Sequence, residues 1–232
     1  MTKIQISFSC AALAISLMLV QPALAQSGRE TQLQQIRMSI PLLDAKIITA
    51  PSAEAYFTRG FANYAVGKND AAEADFAKAE TLKYAAKPFE FFELRGSNFL
   101  VLKKNEEAVV QLTKALALKP LDTPCLINRA SANFELGHYK EALVDAQKAA
   151  KLDAKSSAAQ QLIGTCYLKT GQFQNALQYL NQAVANQPKN FEALQYRGLT
   201  YEKLGKKELA EKDFAEAIDK GYAPGKSFEE VN

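Results

Sequence analysis

Few side chains in this chain of 232 residues could catalyse a reaction or bind a metal. His138 is the single histidine, and no cysteine pair stands at ligand spacing, so neither a zinc site nor a Cys–His dyad can be assembled. His138 follows Gly137, where a turn between helices is expected, and we predict that it is solvated. The glycines recur at a fixed spacing and do not form a phosphate-binding loop. We therefore predict a protein that is not an enzyme, with no catalytic residue, metal or cofactor.

Two cysteines, Cys125 and Cys166, follow the N-terminal segment. The repeat described below places them on neighbouring helices, seven positions apart in register. Seven residues along a helix are ~10 Å, and adjacent helix axes add ~8–10 Å. A disulfide requires Cα atoms within ~7 Å, so we expect two buried, reduced thiols.

Residues 1–25 have the three-part pattern of a secretory signal peptide. Lys3 precedes an apolar stretch from Ile4 to Val20, and Ala23-Leu24-Ala25 supplies small side chains for cleavage after Ala25. The alternative is a membrane anchor, which needs ~20 apolar residues. Pro22 and the cleavage motif favour the signal peptide. We expect a periplasmic or secreted protein with no membrane span after cleavage.

The charge balance argues against binding to nucleic acid. The chain has 28 basic and 25 acidic residues and a net charge of +3. Removing residues 1–25, which contain one Lys and no acid, lowers it to +2. A nucleic-acid surface requires basic residues clustered on one face.

A repeat of about 34 residues organises the rest of the chain. A small residue follows a recurrent arginine at intervals of 36, 34, 34 and 34 residues: Gly60, Gly96, Ala130, Gly164 and Gly198. An alanine stands twelve residues later in every unit, and another seven residues after that: Ala72/Ala79, Ala108/Ala115, Ala142/Ala149, Ala176/Ala183 and Ala210/Ala217. Seven residues after the small residue that follows the arginine position lies a glycine in four units: Gly67, Gly137, Gly171 and Gly205. The second unit has Lys103 at this position.

This pattern predicts a helical hairpin in each unit. The apolar residues follow the helical period on both sides of a glycine, which tolerates the positive φ of a tight turn. The small residue of the first helix faces the first alanine of the second helix, and this permits axes ~8–10 Å apart. One hairpin cannot bury its own apolar face, so neighbouring hairpins must stack.

These positions resemble the tetratricopeptide repeat: small residues at positions 8, 20 and 27, aromatics near 24 at Phe76 and Phe214, and a closing proline at Pro120 and Pro188. The chain resembles an exported bacterial member of that family. The resemblance implies an all-α, right-handed superhelical solenoid of five hairpins whose first helices line a concave groove. The five repeats would span residues 53–86, 89–122, 123–156, 157–190 and 191–224.

A second regularity pairs charges within the repeats. Arg59, Arg129 and Arg197 each precede an aspartate by sixteen residues, whereas Ile163 precedes Tyr179 and Arg95 precedes Gln111. The pattern favours an interhelical ion pair repeated along the stack. The alternative is an arginine ladder for an anionic partner, which would not need the matching aspartates.

The flanking segments are less regular. Residues 26–52 contain one apolar seam, formed by Leu33, Ile36, Ile40, Leu43 and Ile47. Pro41 should kink or split this amphipathic helix. The helix either caps the first repeat or pairs with another chain or with the groove. Residues 225–232 form a short C-terminal tail, and the last repeat is left with an open face.

The family resemblance implies that a partner binds to the first helices. The groove positions in this chain are Phe57, Phe61, Tyr64, Leu94, Ser97, Leu100, Asn128, Phe134, Gln161, Thr165, Gln195 and Leu199. The lysine and asparagine of the carboxylate clamp that some relatives use are missing. The N-terminal part is aromatic, and those rings either anchor a partner or pack under the 26–52 helix.

The leading functional hypothesis is a non-catalytic scaffold or adaptor in the periplasm or cell envelope, which binds a peptide or helix of another protein in the groove. One alternative is a self-assembling homo-oligomer formed through the open C-terminal end. Another is a regulatory subunit of an envelope enzyme complex.

Overall fold

The computed structural model describes residues 26–219, and within them all regular secondary structure is α-helical. The all-α prediction is confirmed. The predicted signal peptide and the 225–232 tail lie outside these residues. The chain divides into two compact units, Met1–Leu102 and Lys103–Asn232, so the second repeat contributes one helix to each unit.

The first unit contains four described helices: α1 Gln26–Thr49, α2 Ala53–Ala65, α3 Asn69–Thr81 and α4 Pro88–Val101. The second unit contains seven: α5 Asn105–Leu118, α6 Thr123–Glu135, α7 Tyr139–Leu152, α8 Ser157–Lys169, α9 Phe173–Asn186, α10 Phe191–Lys203 and α11 Lys207–Asp219. From α2 onward, every helix has 13 or 14 residues.

Two local signals set the ends of these helices. In four repeats a capping residue precedes the first helix, and its side chain accepts a hydrogen bond from the backbone N–H three residues later. These capping residues are Ser52, Asp122, Ser156 and Asn190. The turns to the second helices contain Gly67, Gly137, Gly171 and Gly205 at φ 79°, 77°, 76° and 73°. Lys103 takes φ 56° in the second repeat, at a cost of roughly 1–2 kcal/mol relative to glycine.

The small residues lie where the two helices of a hairpin meet. A Cβ on Gly164 would stand 2.6 Å from Cγ of Leu180, and one on Gly198 would stand 2.5 Å from Cε1 of Phe214. All ten alanines of the two repeated series are at most 1% exposed: Ala72, Ala79, Ala108, Ala115, Ala142, Ala149, Ala176, Ala183, Ala210 and Ala217. The repeat pattern therefore marks the helix–helix contacts of the core.

Helix α1 packs against α2. Ile36 and Leu43 form a cluster with Ala62, and the partly buried Ile40 joins it. Asp44 accepts a hydrogen bond from Nη1 of Arg59 at 2.7 Å. The predicted apolar seam thus lies against the first repeat, which is the position of a cap.

Of the two effects expected of Pro41, the split does not occur, because α1 is continuous from Gln26 to Thr49; the kink stays a prediction. Proline removes one backbone donor and leaves a carbonyl one turn earlier without its partner. Pro41 is exposed, so water can bind that carbonyl. Ile36, Leu43 and Ile47, which lie on both sides of Pro41, are each at most 9% exposed, and their burial holds the two halves together.

Three of the predicted arginine–aspartate pairs form with two hydrogen bonds each. Arg59, Arg129 and Arg197 donate from Nε and Nη2 to Asp75, Asp145 and Asp213 at 2.6–2.9 Å. The aspartates are at most 5% exposed. The hydrogen bonds with Asp75 raise the pKa of Arg59 above its ordinary value, against the opposing effect of burial. The charge pattern is therefore confirmed as an interhelical ion pair at these three positions.

The two repeats without this aspartate have different contacts at the arginine position. Arg95 bonds Glu73 at 2.8 Å and also Glu80, both on the preceding helix α3. In the fourth repeat, Ile163 is 1% exposed and belongs to an apolar cluster against which the partly buried Tyr179 packs. An apolar pair thus replaces an ion pair at one level of the stack.

The apolar residues that replace the ion pair in the fourth repeat predict the outcome of a double-mutant cycle. Arg129→Ile leaves the buried Asp145 carboxylate without its cation and should lower the free energy of unfolding by about 3 kcal/mol. Arg129→Ile with Asp145→Tyr, which copies the fourth repeat, should cost less than that single change, because the buried charge is removed. Urea denaturation of both variants and of Asp145→Tyr measures the coupling. Equal costs for the single arginine variant and the double variant would contradict the role of the pair.

Candidate protein-binding surface

The twelve predicted groove residues fall into two sets, one in each unit. Six lie on α2 and α4: Phe57, Phe61, Tyr64, Leu94, Ser97 and Leu100. Six lie on α6, α8 and α10: Asn128, Phe134, Gln161, Thr165, Gln195 and Leu199. Helix α8 contacts both α6 and α10, so the second set is brought together on three adjacent first helices. We call these six residues the second-unit surface.

In the first unit, the largest candidate side chains are part of the core. Phe57 and Phe61 are 8% and 4% exposed and cluster with Phe76 and Phe91. Phe57 also stacks on Tyr84 with ring centroids 4.4 Å apart. These rings pack against α3 and α4, whereas α1 packs on Ala62. They hold the first hairpin to α4, and the expectation that they pack under the 26–52 helix is wrong.

Three first-unit candidates remain at the surface. Tyr64, Ser97 and Leu100 are half-buried. Burial raises the pKa of the Tyr64 hydroxyl, the charge of Glu93 adds to this, and a hydrogen bond with Ser97 opposes it. Tyr64 and Ser97 therefore meet between α2 and α4.

The second-unit surface combines accessible and buried residues. Asn128, Gln161 and Leu199 are half-buried. Phe134 is 7% exposed and packs on Tyr139, with ring centroids 5.4 Å apart. Thr165 is 2% exposed, and its hydroxyl donates to the carbonyl oxygen of Leu162 at 2.9 Å. The accessible part is thus mainly amide and aliphatic.

Amide side chains connect α8 to α10. Asn190 Nδ2 donates to Gln161 Oε1 at 2.8 Å and to Ser157 Oγ at 3.1 Å. Its Oδ1 accepts from the backbone N–H of Ala193 at 2.9 Å and so caps α10. The sequence prediction missed Asn190. Its place before the fifth repeat, equivalent to Ser52 and Ser156, is the signal that could have found it.

Gln195 is a buried member of the set. It is 5% exposed, and among the described residues its Oε1 has no hydrogen-bond partner. A buried amide oxygen that lacks a partner costs about 1–3 kcal/mol. The side chain therefore favours any state in which a donor, from water or a ligand, reaches this oxygen.

Acidic side chains influence this surface. Burial raises the pKa of Tyr196 well above its ordinary value, and the charges of Glu135 and Glu192 raise it further. Each carboxylate disfavours a second negative charge on the phenol. A carboxylate of a partner would meet the same repulsion. This agrees with the absence of the lysine and asparagine of the carboxylate clamp.

The side chains that suggested chemistry lie elsewhere. His138 is exposed just before α7, as predicted. Between residues 26 and 219, no three His, Cys, Asp or Glu side chains group closely enough to hold a metal ion. None of the described helices has the combination of length and apolar character that crossing a bilayer requires.

Family models match the C-terminal part of the chain. Residues 133–198 match one tetratricopeptide repeat model and residues 191–219 match another. Residues 133–219 are therefore similar to tetratricopeptide repeats.

Curated relatives match part of this chain. DnaJ homolog subfamily C member 7 of Homo sapiens is 29% identical over 150 residues, which are 62% of this chain and 30% of that protein. The SGT1 homolog of Bos taurus is 39% identical over 70 residues, which are 30% of this chain and 21% of that protein. Hsp70-Hsp90 organizing protein 1 of Glycine max is 28% identical over 100 residues, 43% of this chain and 18% of that protein. The matched segments span less than a third of each relative.

Solved structures show the same fold. MamA from Desulfovibrio magneticus RS-1 aligns with a TM-score of 0.63 at 17% identity, over 72% of this chain and 93% of that one. YrrB, a TPR protein with an unusual peptide-binding site, aligns with a TM-score of 0.59 at 22% identity, over 77% and 92% of the two chains. At these identities the likeness establishes the tetratricopeptide-type fold and no more.

The two cysteines are buried and are not joined by a disulfide, as predicted. Burial raises the pKa of the Cys166 thiol to about 12. At pH 8 a thiol reagent should therefore react with Cys166 far more slowly than with an exposed cysteine, because the thiolate is the nucleophile. In the unfolded chain the pKa falls to about 8.5, so denaturant should restore fast reaction. Thiol titration with and without urea measures both.

The same shift predicts a loss of stability at alkaline pH. The folded state retains the Cys166 proton up to about pH 12, whereas the unfolded state releases it from about pH 8.5. The contribution to stability is full below pH 8.5 and declines as the pH rises towards 12. Cys166→Ala should remove this part of the pH dependence. If Cys166 reacts rapidly in the folded protein at pH 8, the burial argument fails.

Proposed function

We propose that this protein is a non-catalytic adaptor, exported to the periplasm, whose second-unit surface binds an extended or helical segment of another protein. The observation that carries the proposal is the arrangement of Asn128, Gln161 and Leu199 on three adjacent first helices. Each of them is partly accessible.

The chemistry of this surface favours a segment with backbone and neutral polar groups. Amide side chains offer both a donor and an acceptor, and these match the N–H and C=O groups of an extended chain. Leu199 adds an apolar contact beside them. The acidic side chains near Tyr196 disfavour an acidic terminus. A neutral or basic segment suits the surface better.

Rigidity supports the same proposal. Gln161 is held by Asn190, which also caps α10. The Gln161 side chain therefore loses little further rotamer entropy when a partner binds to it. A preorganised surface binds more tightly for the same area. Because the stack itself holds these helices, the surface does not depend on a mobile loop.

Site-specific photocrosslinking tests the surface. A photoreactive amino acid is placed at Gln161 or Leu199 and, as matched controls, at Gln178 on α9 and Val144 on α7, which are exposed. Irradiation in cells should crosslink the same protein at Gln161 and Leu199, with at least about tenfold lower yield at the controls. The physical reason is that a partner held at hot-spot positions stays close to them. Asn128→Arg in the same chain should reduce the yield by crowding the amides.

A different result would contradict the proposal. Equal yields at Gln178 and Val144 would mean that the contacts are non-specific or lie on the second helices. An unchanged yield with Asn128→Arg, in a chain with native circular dichroism, would place the partner elsewhere.

Export is tested separately. Cleavage after Ala25 predicts a periplasmic protein whose N-terminal residue is Gln26. Ala25→Arg should block cleavage, because a large side chain does not fit the position that the peptidase reads, and the longer precursor should accumulate. Ala12→Arg, which breaks the apolar stretch, should instead leave the precursor in the cytoplasm. Mass spectrometry of fractionated cells distinguishes these products, and a native chain that keeps residues 1–25 would overturn this part.

A further inference from the structure

Helix α1 is apolar on two sides, and only one of them is covered. Its inner side contributes Ile36, Leu43 and Ile47, which are at most 9% exposed. On its outer side Met38, Leu42 and Ile48 are 68%, 63% and 81% exposed. The terminal element of a stack of repeats normally presents a polar outer face, which keeps the stack soluble. This outer face needs a different explanation.

The outer side chains have the spacing of a helix–helix seam. Met38, Pro41, Ala45 and Ile48 follow one another at intervals of three, four and three residues, and Leu42 lies beside them. All of them are exposed. We call these five residues the outer seam. Its spacing fits another helix better than an extended peptide, because an extended peptide presents every second side chain to the surface on which it binds.

The charges near the outer seam do not oppose such a contact. Between Met38 and Ile48 the charged residues are Asp44 and Lys46. Asp44 bonds Arg59 at 2.7 Å and so points towards α2. Burying the seam therefore does not require desolvation of an isolated carboxylate, which would be costly.

We propose that the outer seam pairs with the outer seam of a second copy of this chain, with the two α1 helices antiparallel and a two-fold axis near position 43. In this register Met38 packs against Ile48 of the second copy, and Pro41 packs against Ala45. Met38 and Ile48 lie at the ends of the contact, and Pro41 and Ala45 lie in the middle, where the axes approach most closely. Leu42 flanks this middle part on one side. An isologous contact of this kind closes on itself as a dimer.

The register also keeps like charges apart. Arg37 of one copy faces Thr49 of the other, and Lys46 faces Ile40, so like charges do not meet across the axis. The antiparallel arrangement places the helix dipoles in opposite directions, which is favourable. The same seam in a parallel pair would align the dipoles and would place Lys46 beside Lys46.

The available area places this contact among small interfaces. The exposed surface of the outer seam is roughly 500 Å² per copy, so the pair buries roughly 1,000 Å², near the lower limit for a specific interface. The dimer should therefore be weak and depend on concentration. Its dissociation constant should lie in the micromolar range.

Sedimentation and light scattering test this pairing on the full gene product, purified in the processed form that the cell yields. The weight-average mass should rise from the monomer to twice that value between about 1 and 200 μM, a range that brackets a weak interface. Leu42→Lys with Ile48→Lys should keep the monomer at every concentration, with unchanged circular dichroism, because both residues are exposed. Val144→Lys alters an equally exposed apolar residue, 64% accessible on α7, and should leave the dimer intact.

A crosslinking experiment locates the axis. Ala45→Cys should give a covalent dimer with a short bifunctional maleimide, whereas Val144→Cys and the native chain with its buried cysteines should not. A monomer at 200 μM would overturn the proposal. So would a dimer that survives Leu42→Lys with Ile48→Lys, which would point to another interface. Binding of the monomer to lipid vesicles through α1 would equally overturn it in favour of a membrane surface.

Discussion

The close approach of two helices within each hairpin sets the geometry on which the rest of the structure depends. Gly164 packs against Leu180, and Gly198 packs against Phe214. A Cβ on either glycine would come within 2.6 Å of that side chain. Alanines that are almost completely buried continue the contact along the second helix. Such close packing maximises dispersion contacts and leaves each hairpin with apolar faces that only a neighbour can cover. The stack, and the surface that its first helices present, follow from this contact.

Charge within the stack serves the packing rather than a ligand. In three repeats an arginine crosses to an aspartate on the paired helix with two hydrogen bonds. Arg95 instead reaches back to α3, and the fourth repeat uses Ile163. An ion pair and an apolar pair therefore occupy equivalent positions. This is expected if a buried pair contributes little net stability and mainly fixes one arrangement.

The two candidate surfaces differ in chemistry and therefore in the partners that suit them. The second-unit surface is lined by amides held in place by Asn190 and lies near acidic side chains. The outer seam of α1 is apolar and has the spacing that another helix requires. If both proposals hold, one chain binds a polar segment through its repeats while its N-terminal helix pairs two copies. Two linked binding sites would then gain effective concentration without any new contact.

The sequence by itself determined the all-α class, the small residues at the helix–helix contacts and the three ion pairs. These features repeat with a fixed period and depend on contacts between residues close in sequence. Only the tertiary structure decided that Arg95 pairs with α3, that Phe57 and Phe61 belong to the core, and that Pro41 does not split α1. Each of these depends on which neighbouring helix covers a side chain. A periodic pattern identifies the face of a helix that carries apolar residues, but it does not identify the neighbour that covers that face.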